Sequence, residues 1–221
     1  LGIWTNAAGE RVVEGVDYSV KNGLAVVEVS MSLPVVGAAY QLRYTVNGSG
    51  KIQVEALYKP KKEKIPLMPK FGMRMRLPSS MDYVKWYGRG EFENYPDRKT
   101  AALVGCYATD LNSFVTDYAF PQDNANRCDV RWFSLNDKEN RTIKVTGLQP
   151  LCFRVWPYGE EDLEKSRHAY ELPGRDYVNV NIDLNIHGVG GADSWGARTL
   201  DEYTIDGNQA YYYGYLMEYY D

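Results

Sequence analysis

Residues 188–196, with the sequence GVGGADSWG, place an indole beside a carboxylate and a hydroxyl group. Glycine lets the backbone bend tightly, and tryptophan combines a flat apolar face with a polar tip. Such a loop can present Trp195 as a stacking platform for a sugar ring, with Asp193 orienting Ser194 or accepting a hydrogen bond from a sugar hydroxyl. The alternative is a buried tryptophan that closes one end of a β-sandwich. The residues alone favour the two interpretations equally.

A second candidate segment, residues 86–98, combines aromatic residues, glycines, a proline and groups of opposite charge. Glu93, Asp97 and Arg98 are close enough in sequence to form a hydrogen-bonded network, which is how an irregular loop satisfies its polar groups. We therefore predict that this segment is a structural loop rather than a direct ligand contact.

Two further patterns of polar residues lie on predicted strands. Residues 117–132 lead from a loop into a strand, and the charged residues 127, 129 and 131 are predicted to share one strand face as a charge ladder. The strand at 177–187 carries a polar row, which comprises Asn179, Asn181, Asp183, Asn185 and His187. Amides and carboxylates are good partners for sugar hydroxyls, but we favour a solvent-facing or inter-subunit surface for this row.

Groups for acid–base or covalent catalysis are scarce. The chain has two histidines, His168 and His187, and lacks a glycine-rich phosphate loop and a nucleophile-elbow motif. Glycosidic cleavage needs two carboxyl groups that flank the bond. The acidic clusters at 160–162 and 201–202 lie in helix-start or turn-like sequence, where solvated charge is the better explanation. We predict no catalytic residue in this chain.

Two-residue periodicity defines the elements that position these motifs. Apolar and polar side chains alternate over 40–46, 52–58, 71–77 and 178–186. Each such strand is expected to have one buried and one wetter face. Turn signals occur at 22–23, 47–50, 136–140 and 206–208. Residues 160–166 form the only predicted helix, so we expect one all-β domain of packed antiparallel sheets over residues 1–221.

Composition excludes several classes of protein. A net charge of −4 and a pI near 5.4 lack the basic excess of a nucleic-acid-binding protein. No apolar run approaches the roughly 20 residues of a membrane helix. The three cysteines, Cys106, Cys128 and Cys152, match neither a disulfide framework nor a zinc motif and are interpreted as buried thiols. Because the chain opens at Leu1 in ordinary globular sequence, we interpret it as a soluble segment of a longer protein, cytoplasmic or periplasmic.

Three separated motifs carry a family resemblance. They are Trp86-Tyr87-Gly88 with Glu93-Asn94-Tyr95-Pro96-Asp97-Arg98; Tyr118 with Phe120-Pro121-Gln122 and Asn126-Arg127; and Gly188-Val189-Gly190-Gly191 with Asp193-Ser194-Trp195. In this order and spacing they resemble the C-terminal, small-chain domain of the large bacterial β-galactosidases of glycoside hydrolase family 2. The resemblance is strong over residues 68–221 and weaker over residues 1–67.

The resemblance implies a fold and a division of roles. The fold is a large antiparallel supersandwich of the galactose mutarotase-like type. In the family, a barrel elsewhere in the polypeptide supplies the catalytic glutamates and the magnesium ligands, while the tryptophan of the Asp-Ser-Trp motif lines the leaving-group subsite. That tryptophan corresponds to Trp195, and Asp193 and Ser194 take supporting roles. Ala192 departs from the family pattern, because many relatives carry a second aspartate there.

The resemblance also implies how the domain is used. The intact enzyme would be a homo-oligomer that hydrolyses β-galactosides with retention of configuration and uses magnesium and a monovalent cation. This domain would hold no metal or other cofactor, would contact the substrate together with the barrel, and would be inactive alone. We assign a structural loop role to Trp86, Glu93, Asn94, Tyr95, Asp97, Arg98 and Arg127.

Two alternatives remain open from the residues. A mutarotase-like sugar epimerase would need a histidine acid and a carboxylate base at the sugar ring oxygen, and His187 with Asp183 is the better available pair. A free-standing carbohydrate-binding domain would need only the aromatic platform.

Overall fold

The computed structural model describes residues 2–191, 193 and 195–221. The strands are β1 Val12–Lys21, β2 Leu24–Leu33, β3 Ala38–Asn47, β4 Ile52–Pro60, β5 Lys70–Pro78, β6 Tyr83–Gly90, β7 Leu103–Asp110, β8 Arg127–Asn136, β9 Thr142–Trp156, β10 Tyr177–Ile186 and β11 Tyr211–Tyr220. The α-helices are α1 Ile3–Ala7, α2 Leu111–Phe114 and α3 Glu160–Lys165, and short 3₁₀ turns span Ala169–Glu171 and Asp201–Tyr203. None of the described helices is long and apolar enough to cross a membrane.

Short turns connect the first four strands, and the first and third of them lie at the predicted turn signals, 22–23 and 47–50. Asn22 and Gly23 link β1 to β2 with φ angles of 54° and 75°. Two consecutive positive φ angles match the right-handed twist of an antiparallel pair, and asparagine and glycine tolerate them best. At the β3–β4 turn, the Asn47 side chain accepts hydrogen bonds from the backbone N–H groups of Ser49 and Lys51. All strand pairs in the described residues are antiparallel.

All eleven described strands are connected into one sheet that branches at β9, and its two parts are called the broad sheet and the smaller sheet below. Residues 142–147 pair with β11, and β8 pairs along most of β9, in the broad sheet of order β1-β2-β3-β4-β11-β9-β8-β6-β7. The last five residues of β9 pair with β10, which pairs in turn with β5. The molecule is therefore a broad sheet packed against a smaller one, which confirms the predicted all-β sandwich.

The main core lies between these two sheets. Val178, Val180 and Ile182 on one face of β10 are buried. Phe71 of the smaller sheet packs edge-on against Tyr213 of the broad sheet, with ring centroids 5.4 Å apart. Full burial of an aliphatic or phenylalanine side chain contributes about 1.5–3 kcal/mol, so rows of such residues hold the two sheets together.

The broad sheet extends past the smaller one at its β1 edge. Val16, Tyr18 and Val20 pair with Val29, Val27 and Ala25 of β2 and continue the apolar face of that strand. Their exposed fractions are 59%, 84% and 76%. The alternating pattern of this hairpin is thus typical of a buried face, although none of the described residues covers it.

The polar row on β10 is buried, so the predicted solvent-facing or inter-subunit surface is wrong. Asn179, Asn181 and Asp183 are at most 1% exposed. Segment 93–98, Asp123 and helix α3 cover this face, because their side chains contact groups on β9, β10 and the adjoining Lys70. A register shift between Asp183 and Asn185 also breaks the alternation. Asn185 is consequently exposed and His187 does not continue the row.

The predicted charge ladder at 127–131 is also wrong. The pairing of β8 with β9 is irregular between Arg127 and Val130, and Asp129 has a φ of 53°. Arg127 is therefore buried, whereas Asp129 is half-buried and forms salt bridges with Arg89 and Lys99. A backbone irregularity of this kind leaves no trace in the spacing of charged residues.

Several smaller expectations also need correction. The helix expected at 160–166 is present as α3, but α1 and α2 are additional and too short to give a helical periodicity. Within the acidic cluster 160–162, Asp162 is buried and paired with Arg175 instead of being solvated. Cys106 is exposed, whereas the other two cysteines are buried thiols as predicted.

Candidate functional site

The segment 93–98 is held against the start of β8 by hydrogen bonds that involve two buried asparagines. The Asn94 N–H donates to the Asn126 carbonyl at 2.8 Å, and the Asn126 side chain donates to the Asn94 carbonyl at 2.7 Å. The Asn94 side-chain oxygen accepts the Cys128 N–H at 2.8 Å. Both asparagines are fully buried, so these bonds fix an irregular backbone that has no strand partner. Asn94 thus links segment 93–98 to β8, and its structural role stays a prediction.

Glu93 anchors the beginning of the same segment. Its carboxylate accepts the Ala125 N–H at 2.8 Å, accepts a hydrogen bond from the Tyr118 hydroxyl, and pairs with Arg98. Burial alone would raise the pKa of Glu93, but these donors outweigh it and hold the pKa below its usual value. The Arg98 guanidinium also lies over the ring of the buried Tyr95 at 4.9 Å.

Trp86 and Arg127 support this region from the interior. The Trp86 indole N–H donates to the Arg89 carbonyl at 3.0 Å. The Arg127 guanidinium lies over the rings of Phe114 and Trp86, at 4.3 Å and 5.2 Å from their centroids. Burial lowers the pKa of Arg127 to about 10. Both side chains are almost completely buried, so their surfaces contact the protein interior, and their role in loop architecture stays a prediction.

Asp97 connects this anchored segment to the glycine loop. Its carboxylate accepts the N–H groups of Val189 at 3.2 Å and Gly190 at 2.6 Å. It also accepts the Thr199 hydroxyl at 3.2 Å. Residues 188–199, called the Trp195 loop below, therefore have both arms bound to one carboxylate. The sequence predicts a structural role for Asp97, and in the structure its partner is the Trp195 loop.

Glycines in the Trp195 loop permit this close approach. A Cβ atom at Gly188 or Gly190 would lie 2.7 Å or 2.9 Å from the Asp97 carboxylate. At Gly191 it would lie 2.5 Å from the Ala197 carbonyl on the returning arm. Contacts this short are essentially never made by real Cβ atoms, so larger residues would push the arms apart or displace Asp97.

Trp195 lies at the tip of the loop with 93% of its surface exposed. Asp193 organises the tip, because one of its oxygens accepts the N–H groups of Trp195 at 2.7 Å and Ala197 at 3.2 Å. Ser194 and Ala192 lie outside the described residues. The interpretation of Trp195 as a buried plug is therefore wrong, and the loop presents an indole to the surroundings.

The pair proposed for a mutarotase is not assembled. Asp183 is 1% exposed and pairs with the buried Arg154 at 2.9 Å. Burial raises the pKa of Asp183 and the Arg154 charge only partly counters this. The His187 ring nitrogen Nδ1 lies 2.7 Å from the Gly188 carbonyl. The only carboxylate suggested as a base is thus sealed away from any sugar.

Arg154 and Thr199 make contacts near this region that the sequence patterns do not reveal. Arg154 interrupts the apolar run 151–156 of β9, and a charge in such a run signals a buried partner, although not its identity. Thr199 follows the loop in a segment without periodicity, so only the folded chain places it on Asp97. Among the described residues no group of three or more His, Cys, Asp or Glu side chains could hold a metal ion.

Comparison with known proteins identifies the family of this domain. The family model described as β-galactosidase small chain matches residues 2–217. The chain belongs to the β-galactosidase small-chain family. Curated β-galactosidases from Priestia megaterium and Lactobacillus delbrueckii subsp. bulgaricus are 33% and 32% identical over 94% and 95% of the chain. The chain spans about a fifth of the length of these relatives, 20% and 21%.

Solved structures support the fold. An α-galactosidase from Lactobacillus brevis matches 96% of this chain with a TM-score of 0.52 and 8% identity, and the match covers 27% of that protein. At this identity the likeness concerns the fold alone. A GalM/aldose epimerase homologue from C. elegans and a galactose mutarotase related enzyme from Lactobacillus acidophilus are more distant, with TM-scores of 0.46 and 0.41. The supersandwich assignment rests on the two-sheet architecture and the family.

Proposed function

We propose that this small-chain domain is a non-catalytic part of a retaining β-galactosidase and that it lends Trp195 to the leaving-group subsite. The observation that carries the proposal is an indole that is 93% exposed at the tip of a loop tied to the fold at both arms. Single exposed aromatic residues are common on protein surfaces, so exposure alone does not set Trp195 apart. The support for a binding role is that both arms of its loop are bound to one carboxylate, which holds the exposed indole in a defined place.

The carboxylates around the loop support a role in positioning rather than in catalysis. A retaining glycosidase needs an acid and a nucleophile about 5–5.5 Å apart on either side of the bond. Asp97 and Asp193 instead accept backbone N–H groups of the loop, and Asp183 is buried. We assign the acid, the nucleophile and the binding of magnesium and a monovalent cation to another part of the polypeptide. The described residues of this chain do not fit a metal.

In this mechanism Trp195 would act on the group that leaves. Its flat face would stack on the departing sugar or aromatic aglycone while the barrel forms the covalent galactosyl intermediate. The same face would then hold the acceptor, a water molecule or a second sugar, during breakdown of that intermediate. Stacking stabilises the bound substrate and the transition state to a similar extent, so it lowers KM more than it raises kcat.

The test is Trp195→Ala in the complete natural polypeptide that carries this chain, assayed with an aryl β-galactoside. We expect KM to rise by about 5- to 150-fold, since one stacked aromatic contributes roughly 1–3 kcal/mol. Tyr170→Ala is the matched control, because Tyr170 is also highly exposed, at 84%, and should leave KM unchanged. An unchanged KM for Trp195→Ala, or a loss confined to kcat, would refute the assignment.

A further inference from the structure

We infer that Asp97 is a positioning residue for Trp195, which rests on the proposed function of that indole. Asp97 lies 92 residues before Val189 in sequence. It binds the outgoing arm of the Trp195 loop through two backbone N–H groups and the returning arm through the Thr199 hydroxyl. Thr199 is buried, at 7% exposed, so both arms are fixed at the base while the indole projects from the tip.

Asp97 differs from the neighbouring carboxylates in the partners of its charge. Charged partners are common nearby, since Glu93 pairs with Arg98 and Asp129 with Lys99. Among the described residues Asp97 forms no salt bridge and accepts hydrogen bonds only from loop donors. Hydrogen bonds to an ionised acceptor are roughly twice as strong as neutral ones. The full charge of Asp97 therefore acts on the loop.

The backbone around Asp97 is itself held by hydrogen bonds, so Asp97 can fix the position of the loop. The Arg98 N–H donates to the Tyr95 carbonyl at 2.9 Å, and together these residues close a tight turn around Asp97. Segment 93–98 is in turn bonded to the start of β8 through Asn94 and Asn126. A continuous set of hydrogen bonds thus leads from the sandwich, through Asp97, to the backbone that carries Trp195.

Loss of this anchor should release the loop without touching the reacting atoms. The unanchored indole would sample many positions, and the entropy lost on ordering it would weaken substrate binding. The expected signature is a raised KM with little change in kcat, together with faster amide exchange in residues 188–199. A purely structural role would lower stability and leave neither signature specific to the loop.

The experiment compares Asp97→Ala, Asp97→Asn, Thr199→Val and Thr199→Ser in the complete natural polypeptide. Asp97→Ala should raise KM for an aryl β-galactoside by roughly tenfold, the scale of one charged hydrogen bond, and should accelerate hydrogen–deuterium exchange of residues 188–199. Asp97→Asn and Thr199→Ser keep a hydrogen-bonding group, so they should raise KM and exchange less than Asp97→Ala and Thr199→Val, respectively. Thr199→Val should show the same changes as Asp97→Ala, but smaller ones. Added to Trp195→Ala, Asp97→Ala should raise KM no further, because it acts through the indole.

Asp110→Asn is the matched control. The Asp110 carboxylate accepts the N–H and the hydroxyl of Ser113, both at 2.9 Å, and should change neither KM nor exchange of the Trp195 loop. If Trp195→Ala leaves KM unchanged, the proposed function fails, and the inference that rests on it falls with it. If Trp195→Ala raises KM but Asp97→Ala alters neither KM nor loop exchange, the role of Asp97 is refuted alone.

Discussion

Glu93 shows how a single residue stabilises the base of the site. Its carboxylate joins Ala125, Tyr118 and Arg98 within a largely buried setting. Its pKa lies below the ordinary value of 4.5 in the folded chain. The ionised form is therefore favoured by folding, and its contribution to stability is present above pH 4.5 and lost as the pH falls through the lower, folded-state pKa.

Glu93→Gln should accordingly destabilise the chain in a pH-dependent way. We expect the free energy of unfolding to fall by about 1–3 kcal/mol at pH 7, the cost of weakening a buried charged acceptor. The difference from the natural chain should shrink below pH 4.5. Urea unfolding at several pH values measures it, with the exposed Glu63→Gln as control. A difference that does not vary with pH would contradict this account.

At the residue scale the sequence predicts types of role better than partners. The motif containing Asp97 and Asn94 is predicted to be structural because its residue types suit a hydrogen-bonded loop, and its side chains do form such bonds. The partner of Asp97 is 92 residues away in sequence, and local patterns carry no information about that distance. The residue types of the loop fit a buried and an exposed Trp195 equally well, so the sequence does not decide between them.

At the element scale, the Trp195 loop depends on the close approach of its two arms. Gly191→Ala would place a Cβ atom 2.5 Å from the Ala197 carbonyl and should force the arms apart. We expect faster hydrogen–deuterium exchange in residues 188–199 of this variant. Gly48→Ala is the control, because a Cβ there meets nothing within 4 Å. Equal exchange in the two variants would show that the arms are not tightly apposed.

Strands β9 and β10 are joined by side chains as well as by the backbone. Arg154 is completely buried between Asp183, at 2.9 Å, and Asp123, at 2.7 Å. Arg154→Met should lower the free energy of unfolding by about 3–5 kcal/mol, because it leaves a buried carboxylate without a counter-charge. The double variant Arg154→Met with Asp183→Asn should recover part of this loss. Urea unfolding distinguishes the outcomes, and no recovery would contradict the pairing.

The two faces of β10 explain where periodicity succeeds and where it fails. Its apolar face is predicted correctly, because alternating valine and isoleucine require a core. Its polar face is predicted to be exposed, yet other segments of the chain cover it and bury Asn179, Asn181 and Asp183. Alternation reports which residues share a face, but it does not report whether a second layer covers that face.

At the scale of the whole molecule, the chain is a β-sandwich that carries an exposed indole and spans about a fifth of its relatives, 20% of the first. The purified chain alone should therefore give no turnover of an aryl β-galactoside. The complete natural polypeptide, assayed under the same conditions, is the positive control. Sugar cleavage by the isolated chain would show that the catalytic groups lie within it.

The most direct test of the central claim is photolabelling of the complete natural polypeptide with a β-galactoside whose aglycone carries a diazirine. The account predicts that light attaches the aglycone within residues 188–199 and that excess unlabelled galactoside suppresses the labelling. Trp195→Ala should reduce it strongly, whereas Tyr170→Ala should not. Labelling that is saturable but falls entirely outside residues 188–199 would show that the indole does not contact the leaving group.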